Sequence, residues 1–553
     1  MTTFDPSAYG SSWHYATRVP TPERGKLVVE VDADVCVIGA GLAGLTVARE
    51  VARRGWSVVV LEARRVAWNA SGRNTGFVLP GYAASVDSVV SRVGLDAART
   101  LWALSEAGAE YMRNAIAETG MPGVELSEGG WLHVSKTDDA GTVEAEAKRL
   151  AGDFGAAVEF WPAERVREQL NSSLYFSAIH HPRGFSIHPL NYAFGLAADA
   201  EAHGARIYEE TPALEIDPAG VRKRIVTKDS RVRAAHVVLA GNVHLTALMP
   251  QFANTLSPVF TYVIATGPLG PQLREAIRYP GAVSDTELAD NHYRVVDGDR
   301  LIWSGRSTVW QDRPQRYVNT LLADIARAYP QLHNVKAEYA WNGTLGITVH
   351  RMPQIGEISP GLWLLSGFGG HGLNTSAMGG ELIARAIIDN DRRWELFSPF
   401  EMVWAGGLFG RAAQQLYYWS FRTHELAAGW LARQREKHAR DAGGEAGAGD
   451  GAQTWPGASD GRDGAVGEAG PLARLSKLAR ASQRLPDLVR DLARPRVATP
   501  AEPVAPVERK PLPLQQAAFR SDPLAAPATP EEAGGPGAQV EAPAGKPSTD
   551  ERN

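Results

Sequence analysis

The sequence predicts an α/β protein that combines a parallel sheet, a second region of strands and a disordered tail. First, the nearly continuous apolar run at 35–38 precedes a glycine-rich turn and helical spacing, which is typical of a buried parallel strand leading into a helix. Second, segments between about 255 and 345 alternate apolar and polar residues like strands, with DGDR as a hairpin turn. Third, Pro, Ala, Gly and Glu dominate from about residue 437, and this composition buries too little apolar surface to fold.

A glycine motif follows the first predicted strand. In ADVCVIGAGLAGLTVA, Gly39 permits a tight turn, Gly41 lets the backbone approach a pyrophosphate, and Gly44 lets the helix pack on the strand. The helix N-terminus offers free N–H groups to phosphate. A second strand, SVVVLE, ends in Glu62, whose carboxylate can accept hydrogen bonds from ribose hydroxyls. We therefore predict a Rossmann-like dinucleotide site formed by Gly39, Ala40, Gly41, Leu42, Ala43, Gly44, Glu62, Ala63 and Arg64.

Composition narrows the classes of partner. The 553 residues carry 57 Lys and Arg against 62 Asp and Glu, so a net charge of -5 argues against nucleic acid as a partner. Cys36 is the single cysteine, so we expect a buried thiol with no disulfide and no metal site. The sequence shows no transmembrane run and no secretory pattern, and we expect a cytoplasmic protein.

Several segments together resemble the D-amino-acid-oxidase-like FAD oxidoreductases, and within them the glycine oxidase, sarcosine oxidase and gamma-glutamylputrescine oxidase branch. The resemblance runs from about Trp13 to about Ile388. It is carried by SSWHYAT, by the nucleotide motif, by ASGRNTG, by AAHVVLAGN and by the strand, turn and helix of LWLLSGFGGHGLNTSAMGGELIARAI. It implies a GR2-type FAD-binding domain with an inserted antiparallel-sheet substrate domain, and noncovalent FAD. It also implies that a C–N bond of an amine or amino acid is oxidised by hydride transfer to flavin N5, and that the imine is then hydrolysed.

The resemblance implies further cofactor contacts. They lie in four segments: the ASGRNTG loop, the end of GARIYEETPALEI, the residues after AAHVVL, and the last glycine turn. We read GARIYEETPALEI as one strand whose end meets the adenine. The contacts are Ser71, Gly72, Arg73, Asn74, Thr75, Gly76, Ala213, Leu214, Ala240, Gly241, Gly369, Gly370, His371, Gly372, Leu373 and Asn374. Asn374 stands where sarcosine-oxidase-like members have a lysine, and LIWSGR also lacks one. Without these lysines, two kinds of enzyme stay open: an oxidase that passes electrons to oxygen, and a dehydrogenase that passes them to another acceptor.

Candidates for the substrate side are fewer. Arg294 and Arg306 could each hold a substrate carboxylate by a two-pronged hydrogen bond, or serve as structural arginines. His292 and Tyr293 could line the pocket or pack in the core. His371, Arg294 and His350 are the catalytic candidates, although no acid or base is required if the amine binds deprotonated.

We divide the chain into a lead-in (1–32), three parts of the FAD-binding domain (33–84, 191–250 and 346–392), mixed helical and substrate-cap segments (85–190), the substrate sheet (251–345), a C-terminal helical segment (393–436) and the tail (437–553). Trp404, Tyr417, Tyr418 and Trp419 predict a final helix that packs in the core, closes the pocket or forms a subunit contact. Within the tail, 471–494 is a candidate amphipathic helix for peripheral membrane contact or a partner, or a marginal helix. Two rival functions stay open: an oxidoreductase acting on a macromolecule-bound aminomethyl group, and a non-enzymatic partner protein.

Overall fold

The computed structural model describes residues 10, 12–285, 291–420 and 434. The tail from 437 and the candidate helix at 471–494 lie outside the described residues. The helices are α1 (Trp13–Ala16), α2 (Leu42–Arg53), α3 (Ala70–Arg73), α4 (Val86–Val93), α5 (Leu95–Thr119), α6 (Ala140–Phe154), α7 (Ala163–Gln169), α8 (Pro189–Ala202), α9 (Pro250–Ala253), α10 (Pro271–Ala276), α11 (Val318–Ala328) and α12 (Gly372–Asp389). Residues 407–420 are also helical.

The strands are β1 (Val31–Ile38), β2 (Val58–Leu61), β3 (Phe77–Val78), β4 (Trp131–Val134), β5 (Glu159–Trp161), β6 (Ala178–His181), β7 (Phe185–Ser186), β8 (Arg206–Tyr208), β9 (Glu215–Asp217), β10 (Lys223–Val226), β11 (Arg231–Leu239), β12 (Leu256–Thr266), β13 (Ala282–Ser284), β14 (His292–Val296), β15 (Arg300–Thr308), β16 (Ala337–Thr348), β17 (Gln354–Ser359) and β18 (Leu362–Ser366). Short 3₁₀ turns occur at Asn242–Thr246, Pro314–Tyr317, Pro330–Leu332, Gly369–His371 and Arg393–Phe397.

The first sheet has the order β17-β18-β11-β1-β2-β8, with β10 and β9 added beyond β11. Strands β18, β11, β1, β2 and β8 run parallel to one another, while β17 pairs antiparallel with β18 and β10 pairs antiparallel with β11. Alternate side chains of β1 enter two apolar clusters: Val35 and Val37 pack with the helical layer, while Cys36 and Ile38 pack on the opposite face. The strand is therefore covered on both sides, as its unbroken apolar run predicts, and Cys36 is buried as expected.

The second sheet has the order β16-β12-β15-β14-β13-β4-β6-β5. All its pairs are antiparallel except β13 with β4. β14 and β15 form the hairpin predicted at DGDR, and Asp297 and Gly298 take the positive φ angles that its turn requires. The substrate sheet predicted at 251–345 is present, and three strands from 85–190, a region expected to supply helices and pocket walls, extend it.

Two expectations need correction. GARIYEETPALEI is not one strand, because β8 and β9 are separated by residues 209–214, whose backbone turns at Glu210 with φ 48°. The C-terminal segment is not simply core, since Trp404 and Trp419 are exposed while Tyr418 is buried. No helix in the described ranges is long and apolar enough to cross a bilayer.

Candidate active site

The carboxyl ends of three parallel strands lie side by side, and this places three turns at one edge of the sheet. Ile38 pairs with Leu239, and Leu239 pairs with Leu364, so β1, β11 and β18 end together. The turns that follow them are residues 39–44, 240–242 and 367–372, and we call this the cofactor edge. In open α/β sheets, ligands bind at this edge where the strand order reverses.

The first turn leaves no room for side chains. Gly39 has φ 110°, and a Cβ there would lie 2.9 Å from the Ala240 carbonyl oxygen of the neighbouring turn. A Cβ at Gly44 would lie 2.0 Å from the Gly39 oxygen, so α2 packs directly on the turn. Both glycines are therefore required by close backbone contact, as the motif predicts.

Helix α2 follows a glycine, which has no side chain to cap the helix amides. Its N-cap, Gly41, makes no side-chain capping bond, and the first turn contains no acidic residue. The Leu42 amide donates to Ser71 Oγ at 3.0 Å, and the Ala40 amide donates to Glu62 Oε2 at 2.8 Å. The other oxygen of Glu62 accepts the Arg64 amide at 2.8 Å, and burial raises the pKa of this carboxyl. The arrangement fits an anion such as a diphosphate at the helix N-terminus.

The ASGRNTG loop is fixed by its own contacts. Arg73 is buried, its Nε donates to the Trp68 carbonyl at 2.8 Å, and Trp341 Nε1 donates to the Arg73 carbonyl at 2.8 Å. Burial lowers the pKa of Arg73 to about 10, which leaves it protonated at neutral pH. Asn74 folds back on the loop, donating from its side chain to the Ala70 and Ser71 carbonyls. The loop is thus held against strand β16 beside the cofactor edge.

One cavity of about 420 Å³ extends from the cofactor edge into the second sheet. At the edge it is lined by predicted cofactor residues: Gly41, Leu42, Ala43, Ser71, Arg73, Asn74, Thr75, Ala240, Gly369, Gly370, His371, Gly372 and Leu373. Farther in, the lining includes aromatic rings and imidazoles: Phe77, Tyr82, Trp102, Trp131, His133, His181 and His292. The space therefore connects the cofactor edge to a second, chemically different surface.

That second surface is formed by Trp131, His133, His181, His292 and His371, which we call the histidine wall. Strand register assembles it: Trp131 pairs with His181, while Ser284 of β13 pairs with both His133 and His292. Trp131 stacks on His133 with ring centroids 5.3 Å apart and lies 4.9 Å from the His181 ring. Trp131 Nε1 is 2.8 Å from Ser284 Oγ, which is 2.6 Å from His292 Nδ1.

Electrostatics keep two of the wall's imidazoles neutral. Burial, with a smaller contribution from neighbouring histidines, lowers the pKa of His181 to about 3 and the pKa of His371 to about 4. Above about pH 5 these rings are uncharged, and each offers one donor and one acceptor nitrogen. No group of three or more His, Cys, Asp or Glu side chains that could hold a metal ion occurs among the described residues.

Comparison with known proteins identifies the cofactor. Residues 34–386 match the family described as FAD dependent oxidoreductase. The chain belongs to this family. The bare glycine turn, the open N-terminus of α2 and the carboxylate after β2 suit the ADP part of FAD, so this oxidoreductase uses FAD as its cofactor.

Relatives and solved structures agree with this. Gamma-glutamylputrescine oxidoreductase of Escherichia coli (strain K12) is 31% identical to this chain, and the match covers 70% of this chain and 91% of that protein. Glycine oxidase from Geobacillus kaustophilus has the same fold, with a TM-score of 0.58, 20% identity, and coverage of 68% of this chain and 99% of that one. L-amino acid deaminase from Proteus vulgaris, with its specific insertion sequence deleted, gives 0.57 at 20% identity, covering 72% and 99%. The predicted fold class is confirmed.

The residues predicted to bind substrate lie elsewhere in the oxidoreductase. Arg294 is buried and donates to the backbone carbonyls of Thr75 and Ile187, at 2.8 Å each. Tyr293 is fully buried, stacks on Trp303 at 4.2 Å and bonds through its hydroxyl to Tyr329. Neither these two nor Arg306 is among the described residues that line the cavity. These contacts favour the structural alternative for Arg294, and a carboxylate clamp there stays a prediction.

Arg306 and His350 also have structural partners. Arg306 Nη2 pairs with Asp324 of α11 at 2.6 Å. The His350 ring accepts the Met352 amide at 3.1 Å and lies 3.1 Å from the Glu401 carbonyl, so it fixes the turn after β16. Of the three catalytic candidates, only His371 lines the cavity, together with the pocket candidate His292.

Some predicted cofactor residues do not line this cavity. Asn374 is buried and donates to the Gly81 carbonyl at 3.1 Å, so its side chain holds α12 to the chain before α4 and faces away from the cavity. Ala213 and Leu214 lie on the connection between β8 and β9, where Leu214 is 55% exposed. Several others shape or brace the turns without lining the cavity: Gly39, Ala40, Gly44, Glu62, Ala63, Arg64, Gly72, Gly76 and Gly241.

Trp131, His133 and His181 were not predicted from the sequence. WLHV places Trp131 and His133 on the same face of a strand, and this alternation is a signal that could have marked them. Their meeting with His292 depends on β4, β6, β13 and β14 pairing across more than a hundred residues of chain, and local spacing does not encode that pairing.

Proposed function

We propose that this FAD-dependent oxidoreductase oxidises a C–N bond of a small amine or amino acid. When bound, FAD supplies the two-electron acceptor for a hydride from the substrate carbon. One observation carries the proposal: the same cavity is lined both by the cofactor edge and by the histidine wall. The name of the Escherichia coli relative, gamma-glutamylputrescine oxidoreductase, supports the proposal, because gamma-glutamylputrescine is an amine.

The histidine wall suits an amine nitrogen. Ser284 Oγ accepts the Trp131 N–H, so we assign the serine proton to His292 Nδ1, which leaves the proton of His292 on Nε2. The neutral rings of His181 and His371, whose pKa values burial lowers to about 3 and about 4, do not repel a cationic substrate. An imidazole lone pair can accept an amine N–H and orient the carbon beside it.

The apolar part of the lining excludes water from the reacting carbon. Phe77, Tyr82 and Trp102 contribute rings to the cavity, and Val263 lines it from β12. A dry surface favours the uncharged form of an amine, whose lone pair assists hydride departure. His371, at the start of α12, is the one candidate that lies both at the cofactor edge and in the histidine wall. We propose that it positions the substrate nitrogen.

Anaerobic spectroscopy tests the proposal. The purified FAD-loaded protein is mixed with polyamines, gamma-glutamylated amines, N-methyl amino acids and D-amino acids, and the visible absorbance of the flavin is followed. We expect at least one class to bleach the flavin, while matched alcohols leave it unchanged. Air is then admitted: return of the colour within seconds indicates oxygen as the acceptor, and slow return indicates a dehydrogenase. Absence of bleaching by every amine and amino acid would contradict the function.

A further inference from the structure

The helix at 407–420 has its polar face turned inward. Gln414 Oε1 accepts Ser257 Oγ of β12 at 2.5 Å, and Gln415 Oε1 accepts the Val309 amide at 3.0 Å. Tyr418 is 8% exposed, packs with Val259 and Val309, and lines the cavity. The helix at 407–420 therefore contributes Tyr418 to the wall of the cavity, and its two glutamines hydrogen-bond it to Ser257 and Val309.

Its opposite face is apolar and uncovered. Leu408, Phe409, Leu416 and Trp419 are 72%, 88%, 59% and 60% exposed, and their spacing places them along one stripe of the helix. We call these four residues the outer stripe. Met402 and Trp404, in the preceding loop, are 45% and 64% exposed. Helices on a protein surface normally bury the apolar face and expose the polar one, so this inverted arrangement indicates a second apolar partner.

Charge in the sequence indicates which partner. Residues 402–420 contain no Asp or Glu and one basic residue, Arg411. Across 402–440 there are six Arg and Lys against two Glu, a local net charge of +4 in a chain whose total is -5. A second copy of the same basic segment would be repelled, whereas anionic headgroups would be attracted. Tryptophan at both ends of the exposed region suits the boundary between headgroups and acyl chains.

We propose that residues 402–420 dock this oxidoreductase on an anionic lipid surface, with the outer stripe inserted among the headgroups. The docked helix is the one that carries Tyr418 into the cavity. The membrane surface would then lie about one helix diameter, ~10 Å, from the cavity. This proposal does not depend on the proposed function, because it concerns the opposite face of the helix.

Vesicle flotation tests the docking. The full-length FAD-loaded protein is mixed with vesicles of phosphatidylcholine alone or of phosphatidylcholine with phosphatidylglycerol. We expect flotation with the anionic vesicles and less with rising salt. The double variant F409S/W419S should bind at least about tenfold more weakly, because it removes two large apolar side chains from the inserted face. The matched control V221S changes a side chain that is 87% exposed on the β9–β10 connection and should bind like the native protein.

Each other outcome is informative. Equal flotation of F409S/W419S and the native protein would overturn the proposal, as would no flotation with anionic vesicles. If ultracentrifugation instead shows a dimer that F409S/W419S dissociates, and vesicles are not bound, a second copy covers the stripe and the proposal fails. Amine-dependent bleaching of F409S/W419S should equal that of the native protein. Failure of docking and failure of the proposed function are therefore distinguishable.

Discussion

The two ends of the cavity are built by different means. The cofactor edge is formed by backbone: glycines at 39 and 44 permit contacts that a Cβ would prevent, and the main-chain amides of Ala40 and Leu42 are held by a carboxylate and a hydroxyl. The histidine wall is formed by side chains: the register of four strands brings four of them together, and His371 joins them from the last turn. The first end depends on a few adjacent residues, and the second depends on pairing across the whole sheet.

This difference has a functional consequence. A backbone site recognises what all members of a family share, here the nucleotide part of FAD, and it tolerates little change. A wall of side chains can be changed residue by residue without disturbing the turns. We therefore expect substitutions of the glycines at the cofactor edge to remove FAD. Substitutions of the four strand residues of the histidine wall should leave FAD bound while amine reduction slows.

The largest effect is expected for Gly44→Ala. The added Cβ would lie 2.0 Å from the Gly39 carbonyl oxygen and 3.0 Å from Val37 Cγ1, so α2 must move away from β1. Overpacking of this kind costs about 1–3 kcal/mol or more. The flavin content of the purified protein, measured from the ratio of its visible to its ultraviolet absorbance, should fall severalfold.

The control for this change is Gly25→Ala. A Cβ at Gly25 would meet no atom within 4 Å, so flavin content should be unchanged. Normal flavin content in Gly44→Ala would contradict the account of the turn, and circular dichroism separates loss of flavin from loss of the fold.

Trp131→Phe is expected to have the next largest effect. The change keeps a ring in the wall but removes the N–H that lies 2.8 Å from Ser284 Oγ, which releases the serine and the His292 tautomer. Flavin content should stay normal, while the second-order rate of flavin reduction by the preferred amine should fall by about 10- to 100-fold. Trp310→Phe, at a position 48% exposed, is the matched control and should reduce at the native rate. Equal reduction rates for the native protein and both variants would contradict a role for Trp131 in amine oxidation.

Arg294→Lys tests whether Arg294 stabilises the fold or binds the substrate. Lysine cannot reach both carbonyls that Arg294 bonds, Thr75 and Ile187, because its single ammonium lacks the guanidinium fork. Denaturant unfolding should show a loss of about 2–4 kcal/mol. The ratio of reduction rates between an amine and its matching amino acid should not change. A reduction rate that falls only with the carboxylated substrate would indicate that Arg294 binds the substrate carboxylate.

The smallest effect is expected from pH. Burial lowers the pKa of His181 to about 3, and those of His371 and His350 to about 4, against about 6.5 in the unfolded chain. A histidine whose folded pKa is lowered contributes stability above pH ~6.5 that is lost as the pH falls toward the folded value. The melting temperature should therefore drop by several degrees between about pH 7 and pH 5. His350→Gln, outside the cavity, should show a smaller drop, and an identical pH dependence would contradict its buried neutral state.

The contrast between the two ends also explains what the sequence could predict. The turn at 39–44, the carboxylate at Glu62 and the strand, turn and helix around 362–389 follow from local spacing, and the structure has them at one edge. The role of Arg294 stayed open between substrate binding and structure, because a charged residue on a strand gives no sign of the backbone carbonyls that it bonds. Trp131 and His181 lie 50 residues apart in sequence and pair directly in the sheet, and neither residue's local context predicts this contact.

The central claim is that an amine's carbon transfers hydride within the cavity joining the cofactor edge to the histidine wall. The most direct test is anaerobic rapid mixing of the FAD-loaded protein with its preferred amine, once with hydrogen and once with deuterium on the carbon beside the nitrogen. The account predicts that the flavin is bleached in both cases and more slowly with the deuterated amine, because that C–H bond breaks in the reducing step. Bleaching at the same rate in a Trp131→Ala variant as in the native protein, or no bleaching at all, would contradict it.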